Sequence, residues 1–323
     1  MKKSMMVIIA LICSFLYANM LFAAADAWTQ KADFGGEERS YAAGFSIGNK
    51  GYVGTGYGTT VSRLGDFWEY DPAINIWTQK ADFGGTGRSY VTGFSIGDKG
   101  YIGMGTVDVG IMTKDFWEYD PAADTWTQKA DFGGEERSYA AGFSIGDKGY
   151  VGTGYGTTVS RLGDFWEYDP AINIWTQKAD FGGTGRSYAT GFSIGDKGYI
   201  GMGTVDVGIK TKDFWEYEPE DTIPDQFTFT DQINVEPDTG ITSNTITVSG
   251  INATASVSIT GGTYSINGGV YTSVDGTVDN SDTVTVQQTS SVSYSTTTNT
   301  TLTIGGISDT FSGISDTFSV TTR

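Results

Sequence analysis

Histidine is absent from the chain, and cysteine occurs once, at Cys13. Without histidine there is no Ser-His-Asp triad, no imidazole-bound zinc and no imidazole-bound copper. A single thiol excludes an intrachain disulfide and a thiolate metal cluster. Basic residues are scarce as well: 20 Lys and Arg stand against 38 Asp and Glu, a net charge of −18. Such a surface repels nucleic acid and anionic membranes and favours solubility. There is no phosphate-cradling loop, no dinucleotide fingerprint and no stretch with the period of an amphipathic helix.

The one long apolar run lies at the start. Lys2 and Lys3 precede an almost wholly apolar stretch over residues 5–22, and Ala23, Ala24 and Ala25 follow. This is the three-part pattern of a secretory signal, with cleavage expected after Ala24 or Ala25. An uncleaved anchor competes with it, because the run approaches the ~20 residues that span a bilayer. Ser14 and Asn19 weaken that reading, and Ile12 before Cys13 argues against a lipid-modified cysteine. Cleavage removes Cys13, two lysines and no acid, so the remaining chain is thiol-free and more acidic still. The expectation is an exported protein (secreted, on the cell surface or in the periplasm) with no membrane span after cleavage.

Internal repetition dominates what remains. Trp28, Trp77, Trp126 and Trp175 each open the phrase W-T-Q-K-A-D-F-G-G and stand 49 residues apart. R-S-Y, G-F-S-I-G, K-G-Y and D-F-W-E-Y follow in each unit. A second period lies above the first: residues 28–121 recur at 126–219 with four changes, Asn49/Asp147, Val91/Ala189, Met112/Lys210 and Asp120/Glu218. Within one unit, residues 41–47, 51–54, 66–70 and 77–83 read as short strands divided by glycine-rich or Asp-Pro turns. Four strands in a unit of this length are the pattern of a propeller blade.

The unit resembles the kelch repeat, the blade of galactose-oxidase-like propellers. Its hallmark of Tyr, six residues, then Trp is met by Tyr70 and Trp77, Tyr119 and Trp126, and Tyr168 and Trp175; Tyr217 has no such Trp. The family's glycine pair is altered to Gly54-Thr55-Gly56 and Gly103-Met104-Gly105. The resemblance covers residues 28 to about 219. It implies an all-β, four-bladed propeller over 26–219. In the first reading the ring is closed by the strand at 28–34, which supplies the one missing from the last blade, and the chain is a monomer. In the second reading the ring is open and completed by another chain. The copper and radical chemistry of galactose oxidase does not carry over, since its histidines and cysteine are missing here.

Composition changes after Tyr217. Residues 220–226 form an acidic, proline-containing linker, and 227–323 are rich in Ser and Thr, with no lysine. Alternation in segments such as T-I-T-V and S-V-S-I predicts a β-sandwich, similar to the immunoglobulin-like modules of bacterial surface proteins. Residues 306–312 recur as 313–319.

Candidate functional residues follow from the loops. One end of the propeller is expected to gather Arg39, Arg88, Arg137 and Arg186 near its axis, with Tyr57, Arg63, Tyr155 and Arg161 further out. Tyrosine offers an apolar face with a hydroxyl and arginine a planar donor fork, which suit sugars or acidic glycans. The inner arginines have a competing structural reading, in which they pair with Glu37, Glu38 and inner-strand carbonyls. Glu37-Glu38 and Glu135-Glu136 are candidate carboxylates for sugar chemistry, though as neighbours on one loop they are expected to diverge. Asp66, Asp115, Asp164 and Asp213 recur in every unit and read as structural. Asp120, Asp124 and Asp108 offer oxygen ligands for calcium without EF-hand spacing. The function expected is non-enzymatic binding of an extracellular glycan or protein, without cofactor or resident metal. A carboxylate-dependent sugar-processing enzyme and a purely structural surface protein are the alternatives.

Overall fold

The computed structural model of the chain describes residues 26–60, 62–305 and 314–322. The signal segment and the first of the two copies at 306–319 lie outside the described residues. Two compact units emerge: one extends to Ser193 and takes in Ile200–Trp215, and the other comprises Ile194–Tyr199 and Glu216 onward. Among the described residues there is no α-helix, only strands, turns and two short 3-10 turns at Asp108–Gly110 and Asp206–Gly208.

In the first unit each 49-residue repeat folds as an antiparallel meander. The first sheet runs Ala43–Ile47, Lys50–Gly54, Phe67–Asp71 and Ile76–Lys80, in sequence order. The second holds Thr92–Ile96, Lys99–Gly103, Phe116–Asp120 and Thr125–Gln128, and the third Ala141–Ile145, Lys148–Gly152, Phe165–Asp169 and Ile174–Gln177. The fourth sheet has three strands, Thr190–Ile194, Lys197–Gly201 and Phe214–Tyr217, of which residues 194, 197–199 and 216–217 are counted with the second unit. These small antiparallel sheets fit a β-propeller. The turn between the first two strands of each sheet needs a left-handed residue, which Gly48 supplies with φ +55°.

Aromatic side chains join one sheet to the next. Phe67 meets the second sheet edge-on at Tyr119 (4.8 Å) and Trp126 (4.9 Å); Phe116 meets the third at Tyr168 (4.9 Å) and Trp175 (5.0 Å). Such pairs add about 0.5–1.5 kcal/mol each beyond the area they bury. Close approach requires glycine on the receiving sheet: a Cβ at Gly149 would lie 2.5 Å from a ring carbon of Phe94.

The expected closure by residues 28–34 is not formed. That segment belongs to no strand, Trp28 is fully exposed, and the fourth sheet keeps three strands. The segment is instead tied to the first sheet. The Ala32 N–H donates to Asn75 Oδ1 (2.9 Å), Trp77 Nε1 donates to the Ala32 carbonyl (3.3 Å), and Phe34 packs edge-on against Trp77. Ala81 with Trp126 and Ala130 with Trp175 repeat this contact further along. Residues 28–34 therefore do for the first sheet what the end of each outer strand does for the sheet after it.

The second unit contains two sheets. One orders Gln232–Val235, Ile314–Thr322, Thr297–Ile304, Ala255–Thr260 and Gly276–Val278; its first pair is parallel and the others antiparallel. The other centres on Thr283–Thr289, which pairs with Gly240–Thr242, Ile246–Thr247 and Thr263–Ile266. Alternation along Thr283–Thr289 buries Val284 and Val286 in one apolar cluster with Val257, Tyr264, Leu302 and Ile304. Residues 314–319 of the second copy of the duplicated heptapeptide fall within the strand Ile314–Thr322.

Candidate binding face

Arg39–Ser40 and Arg137–Ser138 are two-residue strands paired with Tyr57–Gly58 and Tyr155–Gly156. Their even-numbered counterparts are held by single bridges, Ser89 to Thr106 and Ser187 to Thr204. This places each arginine at the root of a loop, but the guanidinium turns inward. Arg39 donates through both terminal nitrogens to Asp66 (2.7 and 2.6 Å), and Arg137 to Asp164 (2.8 and 2.6 Å). Arg88 makes the same fork with Asp115, and Arg186 with Asp213. Each also donates to a carbonyl sixteen residues on, that of Thr55, Met104, Thr153 or Met202. Each lies over the ring of a phenylalanine five residues before it, at 4.6–5.0 Å.

The display of these four arginines to a ligand is therefore corrected. Their side chains are 0–5 % exposed, and a guanidinium so buried is stable only beside a paired carboxylate. That carboxylate is the aspartate of D-F-W-E-Y; to Glu37 and Glu135 the Nε of Arg39 and of Arg137 donates at the backbone carbonyl. Burial works to raise the carboxyls of Asp66, Asp115 and Asp164, but hydrogen bonds from the arginine and the nearby indole hold them below the usual value. In Asp213 the Arg186 hydrogen bond is the leading cause and drives the pKa down further.

The outer pairs are placed as a face requires. Arg63 lies 4.8 Å from the ring centre of Tyr57 and 5.8 Å from that of Tyr90; Arg161 lies 4.9 Å from that of Tyr155. Tyr57 is exposed and both arginines are half-buried. The loops between are gathered by carboxylates: Glu37 accepts from Thr59 Oγ1 and the Thr60 N–H, and Glu135 from Thr158 and the Val159 N–H. Glu38, Arg39, Ser40, Tyr57, Gly58 and Thr59 line an open groove of about 530 Å³. The calcium candidates are engaged in turns: Asp120 pairs with Lys99 at 3.1 Å, and Asp124 accepts from the Ala81 N–H and the Tyr119 hydroxyl.

A column of tyrosines was not anticipated. Tyr41, Tyr90, Tyr139 and Tyr188 succeed one another with ring centres 4.3, 4.2 and 4.1 Å apart. All four have φ of +57° to +60°, an unusual conformation for a bulky residue. The N–H groups of Tyr90, Tyr139 and Tyr188 each donate to the carbonyl of the tyrosine before, at 3.1–3.3 Å. Burial and hydrogen bonds to Tyr188 and Tyr90 push the Tyr139 hydroxyl well above its ordinary pKa. The recurrent R-S-Y was the available signal.

The first unit is thus of β-propeller type, with a groove and two Tyr–Arg pairs on its loops. No protein-family model matches the chain, and no curated protein matches it. The solved structure of YjhT is similar, with 15% identity over 59% of this chain and 85% of that one and a TM-score of 0.46.

Proposed function

We propose that the chain is exported, that its four sheets are kelch-like propeller blades followed by an immunoglobulin-like module, and that it binds an extracellular glycan or protein rather than catalysing a reaction. The observation that carries this is the repeated Tyr–Arg pair on carboxylate-anchored loops, Tyr57 with Arg63 and Tyr155 with Arg161, beside the groove at Tyr57. An arginine already lying over a tyrosine ring presents donors next to an apolar face, the chemistry that an acidic sugar requires. The Kelch assignment rests on the Tyr-to-Trp spacing, which pairs Tyr70 with Trp77 across adjacent strands. Export rests on the pattern of residues 1–25.

A purely structural surface role is the second reading, favoured by the burial of all four inner arginines in aspartate clamps. Sugar hydrolysis by paired carboxylates has less support, since Glu37 and Glu135 anchor loops. The test is a screen of residues 26–323 against acidic and neutral polysaccharides beside an Arg63→Ala, Arg161→Ala double variant. Binding that the variant loses supports the glycan reading. Absence of binding across the panel transfers the proposal to a protein partner or a structural role.

A further inference from the structure

The fourth sheet repeats the second almost residue for residue, yet their surroundings differ. On the second sheet Phe94, Met104 and Phe116 are 5 %, 0 % and 0 % exposed, because the third sheet covers them. The same residues on the fourth sheet, Phe192, Met202 and Phe214, are 39 %, 41 % and 49 % exposed. At the other end of the series the first sheet presents a face that the third sheet uses against the second. On the third sheet Val151 and Tyr168 are fully buried; their equivalents Val53 and Tyr70 on the first are only half-buried.

We infer that these two faces join head to tail between copies of the chain, the fourth sheet of one copy seating on the first sheet of the next. The occupant is fixed by the repeat itself. The joint between the second and third sheets is built from Thr92, Phe94, Met104 and Phe116 on one side and Gly142, Gly149, Val151 and Tyr168 on the other. Thr190, Phe192, Met202 and Phe214 are identical to the first set, and Gly44, Gly51, Val53 and Tyr70 to the second. Two surfaces that match inside the chain are therefore both presented at its ends, on faces that cannot be the same patch. Such a contact is heterologous: it closes as a ring if the rotation allows and otherwise grows.

One of the four differences between the halves adds a charge. Met112 Sδ lies 3.8 Å from Ser138 Oγ across the internal joint. At the joint between copies its place is taken by Lys210, opposite Ser40 and two residues from the exposed Glu38. A lysine there meets an acidic loop of the neighbouring copy.

Glycine supplies the test. A Cβ at Gly149 would lie 2.5 Å from Phe94, whereas a Cβ at Gly51 meets nothing nearer than Tyr70 Cβ at 3.9 Å. Gly51→Val is thus tolerated by a single chain but blocks the phenylalanine of an incoming copy. Phe192→Asp removes that phenylalanine from the other side. The measurement is the mass of residues 26–323 by light scattering over a wide concentration range, with circular dichroism and thermal unfolding as controls for folding. The inference expects multiples of the chain mass in the unaltered protein, falling to a single chain in either folded variant. A single-chain mass for the unaltered protein overturns it. So do multiples that persist in both variants, which place the contact elsewhere.

Discussion

The second and fourth sheets carry nearly the same sequence in different surroundings, and the contrast separates what a repeat makes for itself from what its neighbour provides. The arginine clamp is the repeat's own. Arg88–Asp115 and Arg186–Asp213 have the same fork geometry, and both arginines are buried. Burial of the aromatic face is the neighbour's contribution: Phe116 is 0 % exposed and Phe214 49 %. A repeat of this kind forms its side-chain clamp from its own residues, leans on the preceding repeat through backbone bonds such as Arg88 N–H to the Leu64 carbonyl, and needs the next sheet to complete its core.

The largest break in this symmetry is expected at the aromatics. Phe116→Ala leaves a void between two sheets and destabilises by about 3–5 kcal/mol. Phe214→Ala, on a half-exposed ring, costs under about 1 kcal/mol in dilute solution. Denaturant unfolding of the two variants side by side reads the difference, and equal losses refute the account of which side supplies burial.

The clamps come next. Asp164→Ala strands Arg137, whose side chain is 0 % exposed, at a cost of about 3 kcal/mol. Asp213→Ala likewise strands Arg186, whose side chain is 1 % exposed, and is expected to cost a comparable amount. The same carboxyls set the acid limit. All four have folded pKa values below the usual 3.8, so their stabilisation is complete above that value and is lost as pH falls through the lowered folded values. Melting temperature measured from pH 7 to pH 2 is expected to hold through mild acid and drop below pH 3.8. Asp164→Asn is expected to flatten part of that drop.

Much of this was legible from residue spacing. The 49-residue period located the meanders, and D-F-W-E-Y identified its strand; Phe67, Phe116 and Phe165 are buried, but so are Tyr119 and Tyr168 on the opposite face, because an inner sheet is covered on both sides. The alternating Ser/Thr segments of the tail likewise became strands around one core. Other features were beyond the pattern. Arg39 and Asp66 recur at a constant separation of 27 residues, but a fixed spacing is shared by every pair in a repeat and so does not single out partners. The left-handed tyrosines are invisible because nothing in a tyrosine favours that conformation. The closing strand failed for a related reason. Counting strands assigns a partner to residues 28–34, whereas pairing depends on where the fourth sheet lies, which the period does not encode.

The smallest expected effect concerns glycine, where the chain's two ends of the comparison again diverge. Gly142 and Gly149 receive Phe94, and their counterparts Gly44 and Gly51 face outward with nothing closer than 3.8 Å to an added Cβ. Gly149→Ala forces the ring aside and is expected to cost about 1–3 kcal/mol. Gly51→Ala restricts the unfolded chain without crowding the folded one, so its effect is expected to lie between neutral and about 1 kcal/mol stabilising. Opposite signs in chemical denaturation at low protein concentration would assign the glycine to the joint. A loss at Gly51 equal to that at Gly149 would mean that strand geometry, rather than the neighbouring phenylalanine, demands the glycine at both positions.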